Sequence, residues 1–297
     1  MCTLKQEEPF WRCNKMAGLP ETSFSAQGPL VTRVGLGGEG LLRTYGKDAQ
    51  AREVINEAMA QGITYFDTAP AYAGSQAYLG SVWAEHPDVE EKIFHTSKSA
   101  QRSFDGALRD LEEILHTLNR KKLDLWQIHD VRTMDDIRKI ESSNGALKAF
   151  VQARDQGLVK HIGVTGHHDP EVLKICVQKW PLDAVLLPAN PPEVLLGGFL
   201  DLAAGEAKEK GMAVIGMKCM GGGHYVQPQT GATADKLLNY ALHCGVDLII
   251  VGCSSPQEVR DLAKAATAPP MSESERADLE ELFAPGLRRL AYYRGTV

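Results

Sequence analysis

Cysteine is scarce: six residues, at positions 2, 13, 176, 219, 244 and 253 of 297, with no Cys-x-x-Cys pair. That excludes a disulfide scaffold and removes the usual sequence signature of a zinc or iron–sulfur site. Buried thiols are the plain reading, although Cys219 and Cys253 fall near expected strand ends, where a reactive thiol would also have room to work. Long apolar runs are missing too. Nothing approaches the ~18 residues of a membrane span, and the stretch Met1–Phe10 carries Lys5, Glu7 and Glu8 where a signal peptide has its apolar region. A soluble, cytoplasmic protein is expected. Basic blocks are absent as well, with 32 Lys and Arg against 38 Asp and Glu and a net charge of −6, which argues against nucleic acid and acidic membranes as partners. The expected partner is a small molecule. No linker or low-complexity tract breaks the chain, so one domain over residues 1–297 is expected.

What is present is an apolar fraction of 43%, in a chain long enough to bury roughly three quarters of its extended surface. From residue 34 onward, short β-rich runs alternate with longer stretches of helical period, the pattern of βαβ units and a parallel sheet. The runs are Val34–Gly37, Ile63–Asp67, Ile93–Lys98, Leu123–His129, His161–Thr165, Ala184–Leu187, Ala213–Met217 and Asp247–Val251. Eight units, each about 30 residues long, predict an α/β fold of the (β/α)8 TIM-barrel class. Helix starts support the register: Asp48 opens the segment to Gly62, Asp169-Pro170 opens another, and Ser255-Pro256-Gln257-Glu258 joins an N-cap serine to a capping-box glutamate. Residues 1–33 are expected to be irregular and to cover the barrel bottom, and 272–283 to form an extra C-terminal helix.

In such a barrel the active site forms at the C-terminal ends of the strands. Four reactive side chains fall there: Asp67, Tyr72 five residues on, Lys98 and His129. Singly, these read as a helix cap, a rim residue, a solvated charge and a satisfied imidazole. Together, from adjacent strands, they suit proton transfer to a carbonyl oxygen, with an ammonium that favours the phenolate and so draws the tyrosine pKa down from ~10 toward the working range.

These residues lie in motifs that resemble the aldo-keto reductases: GLGGEG at 35–40, YFDTAPAY at 65–72, TSK at 96–98, LDLWQIH at 123–129 and GLVKHIGVTGH at 157–167. The resemblance runs over nearly the whole chain from about residue 31. It implies an NAD(P)-dependent barrel in which Asp67, Tyr72, Lys98 and His129 match the catalytic tetrad. Tyr72 then acts as general acid in reduction and general base in oxidation, His129 orients the carbonyl as a neutral donor, Lys98 tunes Tyr72, and Asp67 pairs with Lys98 and touches the cofactor ribose. GVTGHH, MKCMGGG and IIVGCSSPQEV resemble a bacterial subgroup, some members of which carry a cysteine-rich extension for iron–sulfur centres. The chain has no such cysteine cluster, so no iron–sulfur cofactor is expected.

The same resemblance places Gly37, Gly38, Asp67, Thr165, Gly166, Met217, Lys218, Gly252, Cys253, Ser254 and Glu258 on the cofactor, which is NAD or NADP. Thr165-Gly166 stands where the family commonly has Ser-Asn for the carboxamide, Leu186 where it has Gln, and Met217 where an aromatic stacks on the nicotinamide. Lys218 is within expected reach of the pyrophosphate. Gly252 and Glu258 replace the Lys and Arg that commonly clamp a 2′-phosphate, which favours NAD. The competing reading of Glu258 is the Ser255 capping box. GLGGEG lacks the third-glycine spacing of a dinucleotide-binding Rossmann turn. His167, His168, His224 and His243 match no zinc spacing, and no metal is expected. Leu41, Leu42, Tyr45, His224 and Tyr225 are the expected walls of a pocket for a small polar substrate, a sugar or an aldehyde or ketone. Two alternatives stay open: a cofactor-binding regulatory subunit without turnover, and a redox-neutral epimerase or eliminase that retains its nicotinamide.

Overall fold

The computed structural model describes residues 18–86 and 91–295. Cys2, Cys13 and the stretch Met1–Phe10 lie outside the described residues.

Eight parallel strands close into a barrel: β3 (Val34–Leu36), β4 (Tyr65–Asp67), β5 (Phe94–Ser99), β6 (Leu123–Ile128), β7 (Val159–Thr165), β8 (Ala184–Pro188), β9 (Ala213–Met217) and β10 (Leu248–Val251), with β10 pairing back onto β3. Each coincides with an expected run to within two residues at either end. Alternation along the strands divides the core in two. Tyr65, Phe94, Leu125, Ala184, Leu186, Ala213, Ile215 and Leu248 fill the barrel interior. Their neighbours, among them Phe66, Trp126, Ile162, Val185 and Val214, face the surrounding helices. Each large apolar side chain so buried contributes about 1.5–3 kcal/mol.

In the described part of residues 1–33, which the sequence suggested would be irregular, the chain is regular at the barrel bottom. A hairpin of β1 (Glu21–Ser23) and β2 (Leu30–Thr32) closes it, with the Phe24 N–H bonded to the Pro29 carbonyl at 2.8 Å. Strands of three residues carry too little alternation to be read in sequence. Phe24, fully buried, plugs the lower end against Phe94 and His161, at ring-centroid distances of 4.4 and 5.1 Å.

The outer layer comprises α1 (Asp48–Ala60), α2 (Ser75–Glu85), α3 (Phe104–Thr117), α4 (Met134–Glu141), α5 (Ala146–Asp155), α6 (Pro170–Lys179), α7 (Pro191–Leu196), α8 (Ala204–Glu209), α9 (Ala234–Leu242) and α10 (Pro256–Thr267). Asp169 caps α6 and Ser255 caps α10, as their positions predict. Asp48 does not cap α1: Lys47 holds the cap position, and Asp48 is the first helical residue, where its charge still suits the helix dipole. After the last βα unit, α11 (Glu273–Phe283) begins with a Ser272–Glu275 capping box, and α12 (Leu287–Leu290) leads into a tail that turns back across the barrel top.

Candidate active site

Asp67 ends β4 with both carboxylate oxygens engaged below the surface. Its Oδ2 accepts from Lys98 Nζ at 2.5 Å and its Oδ1 from the Thr96 hydroxyl at 2.7 Å, while Lys98 also donates to the Thr68 carbonyl at 2.9 Å. Asp67 and Lys98 are essentially inaccessible to water. Burial opposes the lysine charge, but Asp67 and then Tyr72 outweigh it and raise the Lys98 pKa. The Lys98 ammonium lies 4.8 Å from the centroid of the Tyr72 ring, and the ring meets His129 edge-on at 5.8 Å. The four residues expected to act together are thus brought to one point at the strand ends, none of them a helix cap or a solvated charge.

One electrostatic expectation is corrected. Lys98 does draw the Tyr72 pKa down, but burial raises it by more, and Asp67 and Glu39 add to the rise, so the phenol stands above its ordinary value. It is held as a proton donor. Burial also drives the His129 pKa down to about 3, with the Lys98 charge acting in the same direction, and its imidazole is neutral.

Several supports carry no sequence signal. Arg102 donates to the His129 carbonyl at 2.8 Å and the Asp130 carbonyl at 2.8 Å and pairs with Asp136, which fixes the turn after β6. Asp130 occupies left-handed backbone there (φ 53°) and donates its N–H to the Thr165 hydroxyl at 2.8 Å. The Thr165 hydroxyl proton remains available to a ligand.

The other expected cofactor residues separate into groups. Gly37 and Gly38 follow β3; a Cβ on Gly38 would lie 2.9 Å from the Tyr72 ring and 2.6 Å from the Ser75 hydroxyl, so Gly38 is required for the seating of Tyr72 itself. The Gly166 N–H is bonded to the Leu186 carbonyl, and the Leu186 side chain belongs to the interior cluster on which Met217 packs. Met217 ends β9 and Lys218 follows it, and Gly252, Cys253 and Ser254 follow β10. Gly252 packs on Glu39, which leaves no room for a side chain. Glu258 accepts the Ser254 N–H at 2.7 Å, one residue before the capping position, while Ser255 Oγ accepts the Glu258 N–H. Arg260 is tied to Glu57 and Gln257.

Cys219 and Cys253 are buried. Desolvation pushes the Cys253 thiol up to about 12 and raises that of Cys219 as well, which makes both packing residues. Of the expected pocket walls, Leu42 and Tyr225 are in the core and Tyr45 points into solvent; position in a loop does not reveal which way a side chain turns. His224 lies against Tyr292 instead. Among the described residues, no group of three His, Cys, Asp or Glu is placed to hold a metal.

The tail supplies residues that the sequence did not single out. Tyr293 accepts from Asn190 Nδ2 at 3.0 Å and meets His167 edge-on at 5.9 Å, while Arg294 makes a bidentate pair with the buried Glu193 at the start of α7. The aromatic pair in YYRG near the chain end was the available signal.

The sequence and the barrel have counterparts among known proteins. The model of the aldo/keto reductase family matches residues 33–236. Aldo-keto reductase YhdN of Bacillus subtilis is 28% identical over 155 residues, 48% of this chain and 46% of that protein. The pyridoxal 4-dehydrogenase of Microbacterium luteolum is 23% identical over 249 residues, 69% of this chain and 71% of that one. The match thus spans about half of the first relative and 71% of the second. A Klebsiella pneumoniae aldo/keto reductase solved in complex with NADP and acetate superposes with a TM-score of 0.72 at 18% identity, covering 88% of this chain and 95% of that one. The holo form of a Bacillus halodurans aldo-keto reductase gives 0.70 at 19% identity, over 89% and 96%. With a family match over more than half its length and the barrel that goes with it, the chain belongs to the aldo/keto reductase family.

Proposed function

We propose that this protein is an NAD(P)-dependent oxidoreductase that interconverts a carbonyl and an alcohol on a small polar substrate, with Tyr72 as the proton donor and acceptor. The observation that carries this reading is the Tyr72–His129 pair above the buried Lys98–Asp67 bridge. A phenol held protonated and an imidazole held neutral present two hydrogen-bond donors to one oxygen. The names of relatives in the family support it, a dehydrogenase and an NADP complex among them.

A nicotinamide nucleotide, when bound, supplies or accepts the hydride. The residues fit it in part. The Thr165 hydroxyl has a proton free to donate, Met217 stands half-buried at the mouth with a polarizable thioether, and the Gly37–Gly38 and Gly252–Ser254 turns bring backbone to the rim without bulk. Leu186 does not fit as a carboxamide ligand because its side chain has no hydrogen-bonding group. In reduction, His129 orients the carbonyl oxygen through its N–H, and the Tyr72 hydroxyl gives its proton to that oxygen as negative charge develops there. Lys98 stabilises the phenolate left behind, and Asp67 keeps Lys98 in place. Oxidation runs the same proton in reverse.

With Gly252 and Glu258 at the positions where a 2′-phosphate clamp would stand, and Arg260 held away on Glu57, NAD(H) is the preferred coenzyme in this reading. The test is nucleotide absorbance against a panel of aldehydes, ketones and sugars. Turnover coupled to NADH or NADPH oxidation is the expected result; nucleotide binding with no turnover on any member would contradict it.

A further inference from the structure

Four carboxylates at the barrel mouth each have a cation. Asp67 has Lys98 at 2.5 Å, Glu39 has Arg43 at 2.8 Å, Asp130 has Arg132 at 2.6 Å, and Glu193 has Arg294. Lys218 is the cation left over: among the described residues, no carboxylate lies within ion-pairing distance of its ammonium. The contact described for that ammonium is the face of Tyr293, 5.3 Å to the centroid.

Its backbone is also unusual. Lys218 has a φ of 57°, a conformation that favours glycine, in a chain that places three glycines at positions 221–223 nearby. The conformation is enforced: the Lys218 carbonyl accepts from Asn190 Nδ2 at 3.1 Å and from the Gly221 N–H at 3.0 Å. A side chain kept where glycine would be easier points to a use for its charge. Burial lowers the Lys218 pKa; Glu39 after β3 and Asp130 after β6 act to raise it, and Arg43 to lower it. The ammonium leans over Tyr293, which is seated on Asn190 and His167 beyond β8 and β7.

We propose that Lys218 binds an anionic group of the substrate, which makes the substrate a carbonyl or alcohol compound bearing a carboxylate or a phosphate monoester away from its reacting carbon. This rests on the oxidoreductase reading above and replaces the expectation that Lys218 holds the cofactor pyrophosphate. An ammonium is a compact point charge that takes either anion, and Lys218 has no carboxylate at ion-pairing distance among the described residues.

Matched pairs decide it: 4-oxobutanoate against butanal, and glyceraldehyde 3-phosphate against glyceraldehyde. The wild type favours the charged member of one pair by about tenfold or more in kcat/KM, and that pair identifies the anion. In Lys218→Met the ratio falls by about tenfold or more, the scale of a lost charge-assisted hydrogen bond, and in Lys218→Arg it is largely retained. A wild-type ratio near one, or a ratio unmoved in Lys218→Met while the fluorescence-titrated Kd for nucleotide rises tenfold, overturns the assignment. If no aldehyde is turned over, the oxidoreductase reading fails by itself, and calorimetric titration with succinate and with inorganic phosphate still decides Lys218. At least tenfold weaker binding of one of them in Lys218→Met supports the site, and equal binding overturns it.

Discussion

Lys98 serves two neighbours with one charge: it neutralises Asp67, and it lies against the face of Tyr72. Replacing it by Met leaves the Asp67 carboxylate buried with only Thr96 and Gln127 as donors, and a broken buried pair costs about 3–5 kcal/mol. The variant is therefore expected to melt well below the wild type. Its residual alcohol oxidation, which needs the phenolate, should shift alkaline by about one pH unit or more, because the influence that lowers the Tyr72 pKa is gone while burial remains. Thermal unfolding and a pH–rate profile measure the two effects, and an unchanged profile would show that Lys98 does not act on Tyr72. The identities of these residues were legible because each ends a strand in a motif. The net direction of the Tyr72 shift was not, since sequence shows the charged neighbour but not the depth of burial that opposes it.

At the scale of single elements, two termini make contacts that can be tested. At the start of α10, Glu258 accepts the Ser254 N–H, and Arg260 is tied to Glu57. In Glu258→Arg, the ratio of kcat/KM for NADH over NADPH should fall by about tenfold, as a guanidinium suits a phosphate dianion. A tenfold native preference for NADPH, or an unmoved ratio in the variant, would contradict this. The Ser255 cap was legible from Ser-Pro-Gln-Glu, yet which backbone N–H the glutamate takes was not, because the choice turns on one residue of local geometry. The other terminus is the tail from Ala291 to Gly295, where the Arg294–Glu193 pair is almost wholly out of solvent. Arg294→Met strands Glu193 and is expected to lower stability by about 3 kcal/mol or more and to speed amide exchange in the tail; Glu193→Gln in the same chain should restore part of the loss. Exchange rates and melting temperatures equal to those of the wild type would contradict a latch. Nothing in the sequence of Glu193 and Arg294 announced their pairing, since 101 residues separate them.

Across the whole molecule, the barrel divides the labour between its two ends. The lower end is closed by Phe24 against Phe94 and His161 and serves stability, whereas the upper end gathers Asp67 and Tyr72 from β4 and its loop with Lys98, His129 and Lys218 from the ends of β5, β6 and β9. The eight strand runs were legible because buried parallel strands are compact apolar segments spaced by helices. The closing hairpin and the returning tail were not, because short strands and coil have no period, and their places are set by what they pack against. That the upper end performs proton-coupled hydride transfer is tested most directly by Tyr72→Phe. The substitution removes one hydroxyl and keeps the ring that meets His129, so kcat for carbonyl reduction should fall by ~10²–10⁴-fold while the nucleotide Kd stays within about threefold. Retention of more than about a tenth of kcat would contradict the assignment of Tyr72 as the proton donor.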